Sequence, residues 1–219
     1  YTLDYIGQKH LGKGKEFGKV DFSVLSDRLK QHNREDVEML VELEKKYQII
    51  PYFNEIRILS KCQWEDLYFN SRIVESLIFQ EAKKQNIVLP NKPRVDDNEE
   101  ETTFEGATRE AGKSGLYEGV TEFDLSAAYP MMILNFCLDP ANISTIKTEN
   151  TIEVNGVVFI QNDKAMLPLV VKRMLVLKDK GKKEKDENPN DKYLIIKYDA
   201  IKGVANSVFG ICGLRYFRL

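Results

Sequence analysis

Residues 90–103, PNKPRVDDNEEETT, carry five acidic side chains, two prolines and one aliphatic residue. A stretch of this composition buries too little apolar surface to offset its own ordering, so it runs over the surface as a connection. It divides the chain. Before it the apolar residues recur only at helical spacing; after it strand, hairpin and helix signals alternate. The expected fold class is α+β, with a helical first part and a mixed second part.

In the first part, Thr2 is placed to cap a short helix that stops at Gly12. A longer helix is predicted over 35–47, where Val37, Leu40, Val41 and Leu43 recur at helical spacing. Residues 64–85 repeat the pattern with Leu67, Ile73, Val74, Leu77 and Ile78. In the second part, residues 117–124 alternate apolar and polar side chains and end on Asp124, a strand signal. Asn155-Gly156 between 152–154 and 157–160 reads as a hairpin turn. Leu167-Pro168 opens a helix, with proline at its first position, that runs towards Lys180. Residues 181–191 read as a polar turn, and a second helix extends from about Tyr193 to Phe209 and stops at Gly210. Two basic helices joined in this way form an antiparallel pair.

Composition excludes several classes. No run of eighteen apolar residues exists, so no membrane partner is expected. The chain opens Tyr1-Thr2-Leu3-Asp4, without a signal peptide or an initiator methionine, and is expected to begin within a longer protein. Cys62, Cys137 and Cys212 are odd in number and far apart, which argues against a disulfide framework or a zinc site. A cytoplasmic setting in a prokaryotic or viral host, or a nuclear one in a eukaryote, is the expected localisation. The formal net charge of −2 does not advertise a polyanionic partner, but the clustering of lysines matters more than the sum.

Two segments carry chemistry. In Glu122-Phe123-Asp124-Leu125-Ser126-Ala127-Ala128-Tyr129-Pro130, a strand would deliver one carboxylate at its end, and five residues later the chain presents a tyrosine followed by proline. A carboxylate fixed in this way suits a hard cation such as Mg²⁺. Lys202, Asn206, Phe209 and Gly210 fall at i, i+4, i+7 and i+8 and share one helix face, offering a cation, an amide, an aromatic plate and a gap beside it. A nucleoside triphosphate presents charge, sugar and flat base in matching form. Taken singly, each segment has a plain structural reading: the aspartate caps the next helix, and the helix face packs on a core.

Together, and in this order, they resemble the family B DNA-dependent DNA polymerases. DLSAAYP is similar to the palm motif Asp-x-x-Ser-Leu-Tyr-Pro, and KGVANSVFG to the fingers motif Lys-x-x-x-Asn-Ser-x-Tyr-Gly. Phe104-Glu105-Gly106-Ala107 resembles the Tyr-x-Gly-Gly segment between exonuclease and polymerase domains. Leu167-Pro168 with Lys178 and Lys182, an i, i+4 pair, resembles the first fingers helix. His32-Asn33-Arg34-Glu35-Asp36 resembles the third proofreading motif, Tyr-x-x-x-Asp. The resemblance implies a helical exonuclease-domain tail over 1–89, an acidic linker over 90–103, a partial palm sheet over 104–166 and antiparallel two-helix fingers over 167–219.

The implied function is part of a template-directed, primer-dependent polymerase adding dNTPs by two-metal phosphoryl transfer, with 3′-5′ proofreading. Carried onto this sequence, Asp124 and the Leu125 carbonyl would bind two Mg²⁺ ions, and Asp36 would be a metal carboxylate of the proofreading site. Tyr129 would lie beneath the incoming sugar and select deoxynucleotides. Lys178, Lys182 and Lys202 would meet the triphosphate, Asn206 would support the pocket, and Phe209 with Gly210 would pack near the nascent base pair. The implied partners are primer-template DNA, dNTPs and a C-terminal palm and thumb segment, in cis or in trans, because the chain reaches Leu219 before the family's second palm aspartate; alone it is expected to be inactive.

The departures are specific. Lys178 stands where arginine is usual, which keeps the positive charge but not the bidentate grip on a phosphate. Ala127-Ala128 replace Ser-Leu, Phe209 replaces tyrosine, His32 replaces tyrosine, and Gly181 interrupts the basic helix. These motivate the alternative of a catalytically silent, polymerase-like DNA-binding or scaffold subunit, and behind it a helical interaction module unrelated to polymerases. The spacing between Asp124 and Lys202 leaves little room for the insertion of the protein-primed subgroup, so the primer-dependent type fits better.

Overall fold

A computed structural model describes residues 2–16, 20–94, 110–214 and 217. The chain forms two compact units, residues 1–54 and 55–219.

The first unit holds α1 (Leu3–Leu11), α2 (Asp27–Tyr47) and the start of α3 (Ile49–Ser60). The Thr2 hydroxyl accepts the Tyr5 N–H at 3.2 Å, and Gly12 closes α1 in the left-handed region at φ 74°, as its sequence signals require. Helix α2 starts eight residues before the apolar pattern does (27 against 35), because the Ser26 hydroxyl caps the Leu29 N–H over a polar first turn. Its buried side chains are Met39 and Leu43; Val37, Leu40 and Val41, which the spacing put on the inner face, are exposed. Met39 needs Gly7 opposite it, since a Cβ there would lie 2.4 Å from the Met39 sulfur. Periodicity gives no clear sign of α3, which carries Pro51; proline is tolerated there because first-turn N–H groups have no intrahelical acceptor.

The second unit contains the end of α3, α4 (Asn70–Gln85), α5 (Ala128–Asn135), a three-stranded antiparallel sheet, α6 (Met166–Glu187) and α7 (Lys192–Cys212). The sheet runs β1 (Ile143–Ser144), β3 (Val157–Ile160), β2 (Thr151–Val154) in spatial order. The Asn155-Gly156 turn has positive φ at both residues, 48° and 80°, and sets the register Val154 to Val157 and Ile152 to Phe159. Helix α4 packs against both α6 and α7, and α5 packs against the same pair. Ile73, Val74, Leu77 and Ile78 of α4 are buried, as their spacing predicts, together with Val170, Val171 and Met174 of α6 and Ala200, Val204 and Val208 of α7. Each fully buried aliphatic side chain is worth roughly 1.5–3 kcal/mol.

Four local expectations are corrected. Residues 117–124 form no strand; the whole of 110–126 is exposed. Alternation is half of a strand signal, and no described segment supplies this one with a ladder. Helix α6 does not stop at Gly181 but continues to Glu187, leaving residues 188–191 as the turn. Gly181 is buried where α6 meets α7, with Ile201 and Tyr198 under 4 Å from a built Cβ, so packing overrides its poor propensity. Helix α7 likewise passes Gly210 and ends at Cys212, held by the buried Ile211. Pro168 is the third residue of α6, after the N-cap Ala165, instead of the first. The acidic stretch from Val95 and the segment 104–107 lie outside the described residues.

Candidate functional site

Helices α6 and α7 form an antiparallel hairpin whose register is fixed near its tip. Glu184 pairs with Lys197 at 2.8 Å, Lys185 covers the Tyr198 ring at 4.3 Å, and Gly181 faces Tyr198 and Ile201. The Lys197 ammonium holds the Glu184 carboxyl below its usual range, chiefly through their hydrogen bond, and the same bond raises Lys197. A hydrogen bond to Glu55 raises the Tyr193 hydroxyl at the start of α7. Extending this register away from the tip puts Lys178 level with Lys202.

Most lysines of the hairpin are spoken for. Lys180 pairs with Glu184, Lys183 with Glu187, Lys185 with Asp186 and Lys197 with Glu184. Lys178, Lys182 and Lys202 form no ion pair among the described residues. Lys192 at the start of α7 forms none either, so the three that the spacing singled out are among four unpaired lysines of the hairpin. Lys182 does stand among carboxylates, beside Asp179, Asp186 and Glu187. Lys202, Asn206 and Gly210 form an exposed stripe on α7, opposite the buried Ile201, Val204, Ala205 and Val208. Nothing stands within 4 Å of a built Cβ on Gly210, so the gap beside Phe209 is open.

Phe209 meets Tyr129 of α5, which the sequence placed 80 residues away. Their rings stack at 4.3 Å between centroids and 19° between planes. Along α7, Phe209 lies about 10 Å from Lys202 at 1.5 Å per residue.

Asp124 and Leu125 lie on the exposed segment leading into α5, with Leu125 78% exposed. The expected strand is absent, and among the described residues Asp124 has neither hydrogen bond nor ion pair. Nor do the described residues gather three or more His, Cys, Asp or Glu side chains that could hold a metal. Asp124 by itself therefore does not make a Mg²⁺ site, since this cation needs several oxygen ligands.

Asp36, in the other unit, sits on α2 one turn after His32, whose Nδ1 is 3.5 Å from Asp36 Oδ2. Lys15 Nζ lies 2.5 Å from Oδ1, close as an ion pair but off the line of a hydrogen bond. The loop presenting Lys15 is built for it. Asp4 accepts the Lys15 N–H at 2.7 Å, Glu35 accepts the Glu16 N–H at 3.3 Å, and a Cβ on Gly14 would strike Asp4. Sequence reasoning missed Lys15; the alternating GKGK was the available signal.

It also missed Asp139, which is 2% exposed and positions the hairpin. Its Oδ1 accepts the Ala141 N–H and its Oδ2 the Leu167 N–H in the first turn of α6, both at 2.8 Å. Asn142 beside it donates to the carbonyls of Cys137 and Asn162. An Asp-Pro dipeptide before a sheet was the sign of such a cap. Between these elements and Phe209 lies an apolar cavity of about 250 Å³, lined by Ile133, Leu138, Phe159, Leu167 and Cys212. Burial, with the charge of Asp139, pushes the Cys212 thiol up to about 11, so it is no nucleophile at neutral pH.

The family model "DNA polymerase family B" matches residues 67–219. The chain belongs to the family B DNA polymerases. It is 27% identical over 236 residues to DNA polymerase 1 of Pyrococcus abyssi, covering 97% of this chain and 29% of that protein. It is 28% identical over 240 residues to the DNA polymerase delta catalytic subunit of Candida albicans, covering 97% of this chain and 23% of that one. The fold is that of the family B DNA polymerase from Pyrobaculum calidifontis, at TM-score 0.76 and 21% identity over 100% of this chain and 31% of that one. This family B chain thus spans less than a third of the relatives it matches. Among its described residues no helix is long and apolar enough to cross a membrane.

Proposed function

We propose that this chain is the nucleotide-binding part of a template-directed, primer-dependent DNA polymerase, acting within a longer or split enzyme. The observation that carries the reading is that the α6–α7 hairpin bears Lys178, Lys182 and Lys202 without ion pairs, together with Phe209, on whose ring Tyr129 of α5 stacks. In this reading the triphosphate lies along α6 and α7, where Lys178, Lys182 and Lys202 neutralise its charge, and Lys202 stabilises the charge that develops on the leaving pyrophosphate. Asn206 supports the pocket, Tyr129 lies beneath the sugar, and Phe209 with Gly210 borders the nascent base pair. Asp124 and the Leu125 carbonyl would contribute to two Mg²⁺ ions whose other ligands come from outside the described residues. Asp36 would serve a 3′-5′ proofreading site. Primer-template DNA, dNTPs and the remaining palm and thumb are the proposed partners, and the boundaries 1–89, 90–103, 104–166 and 167–219 the proposed division.

A silent scaffold is the second reading, favoured by Lys15 lying on Asp36 and by the exposure of Asp124. Primer extension separates the two. The complete polymerase carrying this chain, or the chain mixed with the polypeptide encoded downstream, is given primed template, Mg²⁺ and dNTPs. Extension that Asp124→Ala abolishes supports the enzyme. Primer-template binding with no extension in any mixture supports the scaffold.

A further inference from the structure

We propose that Phe209 is a positioning residue for sugar selection: it fixes where the Tyr129 ring stands, and through it how strongly ribonucleotides are refused. The inference rests on the reading of Tyr129 as the side chain beneath the incoming sugar.

The turn that carries Tyr129 is poorly able to hold it. Helix α5 begins after Ala127, a residue with a Cβ in the left-handed region at φ 54°, and no side chain caps its first N–H groups. The two residues before the tyrosine are alanines, which give its ring no neighbouring bulk to rest on. The Tyr129 hydroxyl has no hydrogen bond among the described residues, and the side chain is 45% exposed. What the ring does have is the face of Phe209, at 4.3 Å and 19°.

Phe209, by contrast, is anchored. It follows the buried Val208 on a helix packed against α4, α5 and α6, and it walls the apolar cavity lined by Ile133, Leu138 and Leu167. One part of the ring belongs to the core and another supports the gate. Having no hydroxyl, Phe209 acts on Tyr129 by ring-face packing alone, so the coupling needs an aromatic ring at 209 and nothing more.

A double-mutant cycle on the complete polymerase tests this, reading the ratio of kcat/KM for a dNTP to that for the matching rNTP. Tyr129→Ala removes the gate and lowers the ratio. Phe209→Leu lowers it by about tenfold, the scale of one aromatic pair. Phe209→Tyr keeps the wild-type ratio. In the Tyr129→Ala background, Phe209→Leu changes the ratio no further. An unchanged ratio in Phe209→Leu, or equal effects of this substitution with and without Tyr129, overturns the proposal; the second outcome would mean that Phe209 acts on sugar discrimination independently of Tyr129. If Phe209→Leu is too unstable to assay, Phe209→Met takes its place in the cycle, with the same expectations. A wild-type enzyme that incorporates dNTPs but whose ratio is unmoved by Tyr129→Ala shows instead that the reading of Tyr129 was wrong.

Discussion

Replacing Asp139 by alanine tests whether one buried carboxylate joins the sheet to the lysine-bearing hairpin. Its oxygens accept the Ala141 and Leu167 N–H groups at 2.8 Å each, and the residue is 2% exposed. With the carboxylate gone, the buried Leu167 N–H loses its acceptor, at roughly 1–3 kcal/mol, and the part-buried bond from Ala141 is lost for roughly 0.5–1.5 kcal/mol. The anion at the start of α6 also interacts with the helix dipole, for roughly another 0.3–1 kcal/mol. Relief of the desolvated charge offsets part of this, so Asp139→Ala is expected to cost about 2–4 kcal/mol. Asp139→Asn keeps one acceptor oxygen of the two and is expected to cost about half as much. Urea unfolding followed by circular dichroism measures both, with the slope m checking that the unfolded state is unchanged. A loss under about 1 kcal/mol for the alanine variant, at constant m, would refute the assignment of Asp139 as the joint.

Gly181→Ala is expected to stabilise the chain by up to about 1 kcal/mol, seen as a raised Tm. The added Cβ meets Ile201 at 3.6 Å and Tyr198 at 3.8 Å, ordinary van der Waals distances, and a lowered Tm would mean that the helices cannot give even that much room. The Glu184–Lys197 pair predicts a pH window. Glu184 is lowered, so its contribution is present above the ordinary carboxyl value of 4.5 and lost as pH falls through its folded value. Lys197 is raised, so its contribution is present below 10.5 and lost as pH rises through its folded value. The stability difference between wild type and Glu184→Gln should therefore be flat across neutral pH and vanish at both extremes; a difference that persists in strong acid contradicts the pairing. In the complete polymerase, Lys202→Ala is expected to lower dNTP kcat/KM by about 10²-fold or more, and Lys180→Ala, whose lysine is already paired, by little; equal losses would remove the argument from uncommitted charge.

The sequence alone determined whatever depends on near neighbours along the chain. The Thr2 and Gly12 caps, the Asn155-Gly156 hairpin, the buried stripe of α4 and the common face of Lys202, Asn206 and Gly210 were all legible, because each follows from backbone preference or from 3.6-residue periodicity. The two motifs also disclosed the family. Tertiary structure decided the rest. Gly181 lies inside a helix because packing against α7 outweighs its local preference, and Gly210 because the buried Ile211 carries α7 past it. Residues 117–124 have the alternation of a strand but no ladder, and a ladder is a property of two segments. Met39 and Leu43, not Val37 and Leu40, face inward because only the position of α1 selects among the faces of α2. Asp139 capping Leu167, Lys15 reaching Asp36 and Tyr129 lying on Phe209 each join groups far apart in the chain, and no periodicity of one segment records where another will come to rest.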